Sequence, residues 1–137
     1  MTPQVLVDTG PIVAILSKSD QHHQVCLAHL RRLSGPLLTC WPVIVEAAWL
    51  LRRDSAAVEK LLQSFQAKPL TLAPLDEMDV PGIVEILVKY RGLKLQLADA
   101  ALLHVANRGN IQTVFTLDRR DFKVLRLRNG KRLKLIP

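Results

Sequence analysis

Short β-rich runs alternate with helical patterns along this chain, and that alternation restricts it to a mostly parallel sheet covered by helices on both faces. The run Gln4-Val5-Leu6-Val7 ends at Asp8-Thr9-Gly10-Pro11, a turn that opens a helix with proline at an early position. Asp20 is placed to cap a helix to about Leu33, with Val25, Cys26, His29, Leu30 and Leu33 along one side. Ser34-Gly35-Pro36 breaks it, Leu37 to Cys40 reads as a strand, and Pro42 starts a helix through Leu51. Ala56 to Gln66 is a further helix, followed by the apolar stretch Leu70 to Ala73. Asp76 to Tyr90 reads as helix despite Pro81-Gly82, and Gly92 ends it. Asp99 to Arg108 is helical and stopped by Gly109-Asn110, after which Val114 to Leu117 forms a strand ending at Asp118. The C-terminal segment reads as a hairpin of Val124 to Arg128 and Arg132 to Ile136. A three-residue loop pairs Leu127 with Leu133 and Arg126 with Lys134, which sorts the faces better than a two-residue Asn129-Gly130 loop.

No repeat or linker divides the 137 residues, so the expected organisation is one domain over residues 1–137. Apolar residues make up 49% of the chain, yet no apolar run approaches the roughly 18 residues of a membrane helix. Met1 to Val7 lacks the pattern of a secretory signal, and the expected compartment is the cytoplasm. Cys26 and Cys40 sit in no CxxC pattern and read as reduced core residues.

In a parallel sheet with right-handed crossovers, strand carboxyl ends and helix amino ends share one edge, where ligands bind. Asp8 and Asp118 follow strands, Glu46 lies in the first turns of a helix, and Asp99 begins another. Connectivity alone therefore sends four carboxylates to that edge. Glu46 is the sole charged residue between Trp41 and Leu51, and Asp99 shares a helix face with Leu102, Leu103 and Ala106. Singly these acids read equally well as helix caps, a turn former, or a partner of Arg52 or Arg53. Jointly, converging acids repel unless a cation neutralises them, and hard oxygen donors suit Mg²⁺ or Mn²⁺. Nineteen Lys and Arg against twelve Asp and Glu leave a basic surface around that acidic cluster. Such a surface suits a polyanion, although solubility or an acidic protein partner also accounts for it.

The segments VLVDTGPIVAIL, WPVIVEAAWLL, LQLADAALLHVA and VFTLDRRDF, in that order, resemble the successive motifs of PIN-domain proteins, and most closely the VapC-type toxins of toxin–antitoxin pairs. The resemblance spans residues 4 to 122. It implies a five-stranded parallel sheet and endonucleolytic, Mg²⁺- or Mn²⁺-dependent hydrolysis of RNA. Asp8, Glu46, Asp99 and Asp118 would be the catalytic acids, with Asp8, Asp99 and Asp118 on the metal and Thr116 and Asp121 supporting them. Arg119, Arg120, Lys123, Arg126 and Arg128 are candidates for RNA contact, although a solvated basic strand edge explains them nearly as well. The resemblance further implies a homodimer and a cognate antitoxin whose segment blocks the acidic site.

Other readings are weaker. Asp8-Thr9-Gly10 is also an aspartic-protease signature, but those proteins are almost entirely β and this chain has at least four helical patterns. A non-catalytic PIN-like binding module, or an RNA-processing nuclease without a toxin role, remains the alternative. His22, His23, His29 and His104 have no partner at ligand spacing and read as surface or core residues. Trp41 and Trp49 read as core or dimer contacts rather than base-stacking platforms.

Overall fold

The computed structural model describes residues 3–137. Its strands are β1 (Val5–Val7), β2 (Leu37–Thr39), β3 (Leu70–Leu72), β4 (Thr113–Phe115) and β5 (Lys134–Ile136). They are flanked by α1 (Thr9–Leu16), α2 (His23–Arg32), α3 (Trp41–Leu50), α4 (Ser55–Gln66), α5 (Val80–Lys89), α6 (Leu97–Gly109) and the short α7 (Arg119–Phe122). All the pairings are parallel, in the order β3-β2-β1-β4-β5. The α/β expectation holds. No helix among the described residues is long and apolar enough to cross a membrane.

β1 is central because Val5, Leu6 and Val7 are all buried, as a strand covered on both faces must be. The chain runs outward from β1 to β2 and β3, then crosses to the other side of β1 for β4 and β5. The order therefore reverses between β1 and β4, which opens a crevice beyond their carboxyl ends. On one face of the sheet, Val7, Leu37 and Phe115 meet Ile12 of α1, Leu30 of α2 and Leu61 of α4 around an apolar cavity of about 90 Å³.

α6 is nearly surrounded by protein. Ala98, Ala100, Ala101, Leu102, Leu103, Val105 and Ala106 are buried, and the alanines let α3 and α5 approach closely. It begins at Leu97 with Gln96 as cap, earlier than the sequence pattern places it, and Asn110 ends it in the left-handed region at φ 51°. α2 likewise begins at His23 rather than directly after Asp20, whose carboxylate accepts from the His22 amide at 2.8 Å. Val25, expected on the packed side of α2, is exposed.

The segment from Asp76 to Tyr90 divides into a 3₁₀ turn at Glu77–Asp79 and α5, with Pro81 in the helix's first turn, where its missing N–H costs nothing. Asp79 links this junction to α6. Its Oδ1 accepts from His104 Nε2 at 2.8 Å and from Arg108 at 2.8 Å, while Oδ2 accepts from the Asp76 amide at 2.9 Å. The Asp76 amide, then the His104 and Arg108 partners, hold the Asp79 carboxyl down to about 2. Gly82 gives the His104 ring its space, since a Cβ there would stand 2.5 Å from it.

The C-terminal hairpin expectation needs correction. Leu127 N donates to Lys131 O at 3.0 Å and Gly130 N to Leu127 O at 2.8 Å, so the loop is Arg128 to Gly130. One antiparallel bridge, Arg126 to Arg132, is all that follows before the chain turns to lay β5 parallel on β4. The open edge of β4 offers a full row of sheet hydrogen bonds, more than a two-stranded ribbon can give. Cys26 and Cys40 are buried free thiols, and burial pushes the Cys40 thiol up to about 11.

Gly82→Ala is expected to cost about 1–3 kcal/mol by forcing His104 away from Asp79. Denaturant unfolding measures it, and an unchanged midpoint would show that the α5–α6 contact yields without loss.

Candidate functional site

Asp8, Glu46, Asp99, Asp118 and Asp121 all line one cleft of about 430 Å³ beyond the carboxyl ends of β1 and β4. Asp8 stands where an N-cap of α1 would, in extended backbone, but its side chain makes no cap bond. Instead the Thr116 hydroxyl donates to Asp8 Oδ2 at 2.8 Å and accepts from the Asp118 amide at 2.9 Å. Thr116, fully buried, thereby holds the loop after β1 against the loop after β4. Gly10 permits the same approach, because a Cβ there would lie 3.2 Å from Leu117.

Each remaining acid has its own support. Glu46, on α3, accepts from the Thr9 hydroxyl at 3.0 Å through Oε2. Thr9 escaped the sequence reading, in which only its place in Asp-Thr-Gly drew notice. Arg52, one conceivable partner of Glu46, instead stacks over the Trp49 ring at 4.0 Å. Asp99 occupies the third helical position of α6, and its Oδ2 accepts from the Gln96 amide at 3.3 Å, the N3 arm of a capping box. Asp118 caps α7, accepting from the Asp121 amide at 3.3 Å. Asp99, readable as an N-cap, thus sits two positions inside its helix, while Asp118, readable as a turn former, caps α7; each carboxylate still borders the cleft.

The electrostatics are those of unneutralised acids. Burial, followed by the charges of Glu46 and Asp118, pushes the 5% exposed Asp8 up to about 6 against partial relief from Thr116. Burial first, then the Asp8 charge, pushes Asp99 up to about 7. Among the described residues, no three acidic, histidine or cysteine side chains are drawn into a finished cation cage. The donor chemistry nevertheless fits a hard divalent ion, which would offset the repulsion the carboxylates impose on one another.

The C-terminal cations are not among the residues that line this cleft. Arg119 donates to the Pro137 carbonyl, Arg126 to Lys123 O at 3.3 Å, and Arg128 faces Glu85 at 3.7 Å. Arg126 and Arg128 border a separate concavity with Lys89 and Tyr90, while Arg120 and Lys123 are exposed. The cation on the cleft wall is Lys94, which the sequence reading did not single out. Trp41 and Trp49 are not core residues: they are 51% and 62% exposed. With Val45 and Leu97 they line an open apolar groove that shares Glu46 and Gln96 with the cleft.

The Asp8 shift makes a stability prediction for the metal-free protein. Its folded value of about 6 exceeds the ordinary 3.8, so ionisation disfavours the folded state as pH rises between the two, and the full cost is present above both. Asp8→Asn keeps an acceptor for Thr116 and is expected to stabilise the protein near neutral pH by at most about 3 kcal/mol. The gain should fade toward about pH 4. Thermal melts in chelator across that range test it, and a destabilised variant at neutral pH would contradict it.

Residues 5–126 match the PIN domain family. Ribonuclease VapC26 of Mycobacterium tuberculosis is 26% identical over 135 residues, covering 97% of this chain and all of that protein. Among solved structures, VapC20 of Mycobacterium tuberculosis, a sarcin-ricin loop cleaving toxin, superposes with a TM-score of 0.78 at 18% identity, over 85% of this chain and 91% of that one. VapBC2 from Rickettsia felis, bound to a DNA fragment from its promoter, gives 0.67 at 14% identity, over 97% of each chain. With its ordered motifs, parallel sheet and acid-lined cleft, the chain belongs to the PIN domain family.

Proposed function

We propose that this protein is a divalent-metal-dependent endoribonuclease acting as the toxin of a toxin–antitoxin pair in the cytoplasm. The observation that carries the reading is the convergence of Asp8, Glu46, Asp99 and Asp118 on one cleft at the sheet's reversal point. The whole-length likeness to a protein named a ribonuclease supports RNA as the substrate.

Asp8, Asp99 and Asp118 would hold Mg²⁺ or Mn²⁺. Bound there, the ion supplies Lewis-acid polarisation of the phosphodiester and makes water more acidic. Thr116 keeps Asp8 oriented through Oδ2. The Thr9 hydroxyl occupies Glu46 Oε2, which leaves Oε1 to accept a proton from the attacking water. Asp121 also lines the cleft and supplements its negative field. Hydrolysis adds that water across one P–O bond and releases two RNA ends.

VapBC2 from Rickettsia felis and a toxin–antitoxin complex from Klebsiella pneumoniae, both among the structural neighbours, support a cognate antitoxin as partner. The apolar groove of Trp41, Val45, Trp49 and Leu97 supports a protein contact beside the cleft, and the reading includes a homodimer. Charged residues within such a contact would be costly.

Purified protein incubated with cellular RNA and Mg²⁺ is expected to yield fragments that chelator abolishes, and Asp99→Asn to lower the rate by roughly a hundredfold or more. Mg²⁺ should also raise the melting temperature of the wild type and leave Asp99→Asn nearly unmoved. Folded, partner-free protein that binds the ion but leaves all RNA intact would favour the non-catalytic module. Trp49→Glu is expected to convert a dimer to monomer in sedimentation; a monomeric wild type would remove the homodimer from the reading.

A further inference from the structure

We propose that Lys94 is a substrate-contacting residue of the cleft, holding an RNA phosphate adjacent to the one being cleaved; this rests on the ribonuclease reading above. A cleft walled by five carboxylates repels the polyanion it must admit, and the basic residues after Asp118 that were expected to hold RNA do not line it. Arg119 and Arg126 turn onto backbone carbonyls, and Arg128 turns toward Glu85. Among the described residues, Lys94 is the cation that shares the cleft wall with the acids.

The backbone at Lys94 sharpens the point. Lys94 ends the 3₁₀ turn Arg91–Leu93 at φ 53°, ψ 49°, with its amide donating to Arg91 O at 3.2 Å. This left-handed geometry costs a side-chain-bearing residue about 1 kcal/mol, and asparagine or glycine tolerates it better. The chain uses Asn110 for the same geometry at the end of α6, at φ 51°, ψ 48°. Lys68 is also left-handed, but its ammonium reaches the Thr71 hydroxyl at 3.4 Å. Ion pairs among the described residues form at Asp79 and Glu85, and the Lys94 ammonium enters none of them. Lys94 is exposed, fixed at its base by the turn, and available to an incoming anion. Gln96, two residues on, also lines the cleft and ties this turn to the start of α6 and Asp99.

The test measures binding apart from cleavage. A short fluorescein-labelled oligoribonucleotide is titrated by anisotropy, over a range of KCl, against Asp99→Asn and against the same variant carrying Lys94→Asn, Lys94→Gln or Lys94→Arg. Lys94→Asn suits the left-handed backbone, so a loss there reports charge rather than strain. Lys94→Asn and Lys94→Gln are expected to weaken binding roughly tenfold and to lower the log–log salt slope by about 0.7, the value for one phosphate of a single strand. Lys94→Arg should restore both. In the otherwise wild-type protein, Lys94→Asn and Lys94→Gln should raise KM more than they lower kcat. Unchanged affinity and slope in Lys94→Asn and Lys94→Gln would overturn the proposal. So would a fall in their metal-free melting temperature with RNA binding intact, which would make the lysine an internal counter-ion for the acids. If the wild type cuts no RNA, the ribonuclease reading fails, and the roughly tenfold loss with the reduced salt slope in Lys94→Asn still identifies a phosphate contact.

Discussion

The Thr116 hydroxyl joins the two loops on which the cleft is built. It donates to the carboxylate of Asp8 and accepts from the amide of Asp118, while the Asp8 amide donates to Phe115 O at 2.9 Å. These bonds lie where the strand order reverses, between β1 and β4. At that point successive connections leave in opposite directions, so beyond the Asp8–Phe115 backbone bond the Thr116 side chain carries the join. A buried hydroxyl with one donor and spare acceptor capacity satisfies both loops at once. Valine, of similar shape, would take from a buried carboxylate its hydroxyl donor.

Around this junction the protein accepts a local cost. Asp8 and Asp99 are raised because burial and neighbouring carboxylates disfavour their charged forms. Such an arrangement persists only where the surroundings are rigid enough to impose it. α6 supplies that rigidity: packed between α3 and α5 and joined to Asp79 through His104 and Arg108, it cannot swing Asp99 away from the cleft. The Thr9 hydroxyl, reaching from α1 to Glu46 on α3, does the same for the fourth acid.

The surface divides into regions with different chemistry. The cleft is acidic, the C-terminal segment is basic, and the groove on α3 is apolar with both indoles exposed. The proximity of that groove to Glu46 explains how one partner could cover apolar surface and obstruct the acids together. The separation of Arg126 and Arg128 from the cleft means that net charge governs approach of a polyanion over a distance, whereas contact inside the cleft falls to individual residues.

Much of this was legible in the residues. The alternation of β-rich and helical patterns specifies a parallel sheet, and connectivity then sends Asp8, Glu46, Asp99 and Asp118 to one edge, because strand ends and helix starts obey handedness rules that need no coordinates. Local patterns were less decisive where two local solutions compete. Asn129-Gly130 is good turn chemistry, yet the segment after it joins β4 in parallel, since the open sheet edge offers more hydrogen bonds than a lone ribbon. Tryptophans within an apolar helix suggest burial, but periodicity does not say whether a neighbouring element covers that face. Thr9 on Glu46, His104 over Gly82 and Lys94 in the cleft depend on side chains meeting from distant elements. The sequence by itself therefore determined the order of elements and the edge that gathers the acids, because both follow from short-range pattern and chain handedness. Only the tertiary structure decided which hydroxyl orients which carboxylate and which cation faces them, because those contacts depend on how elements pack across the sheet.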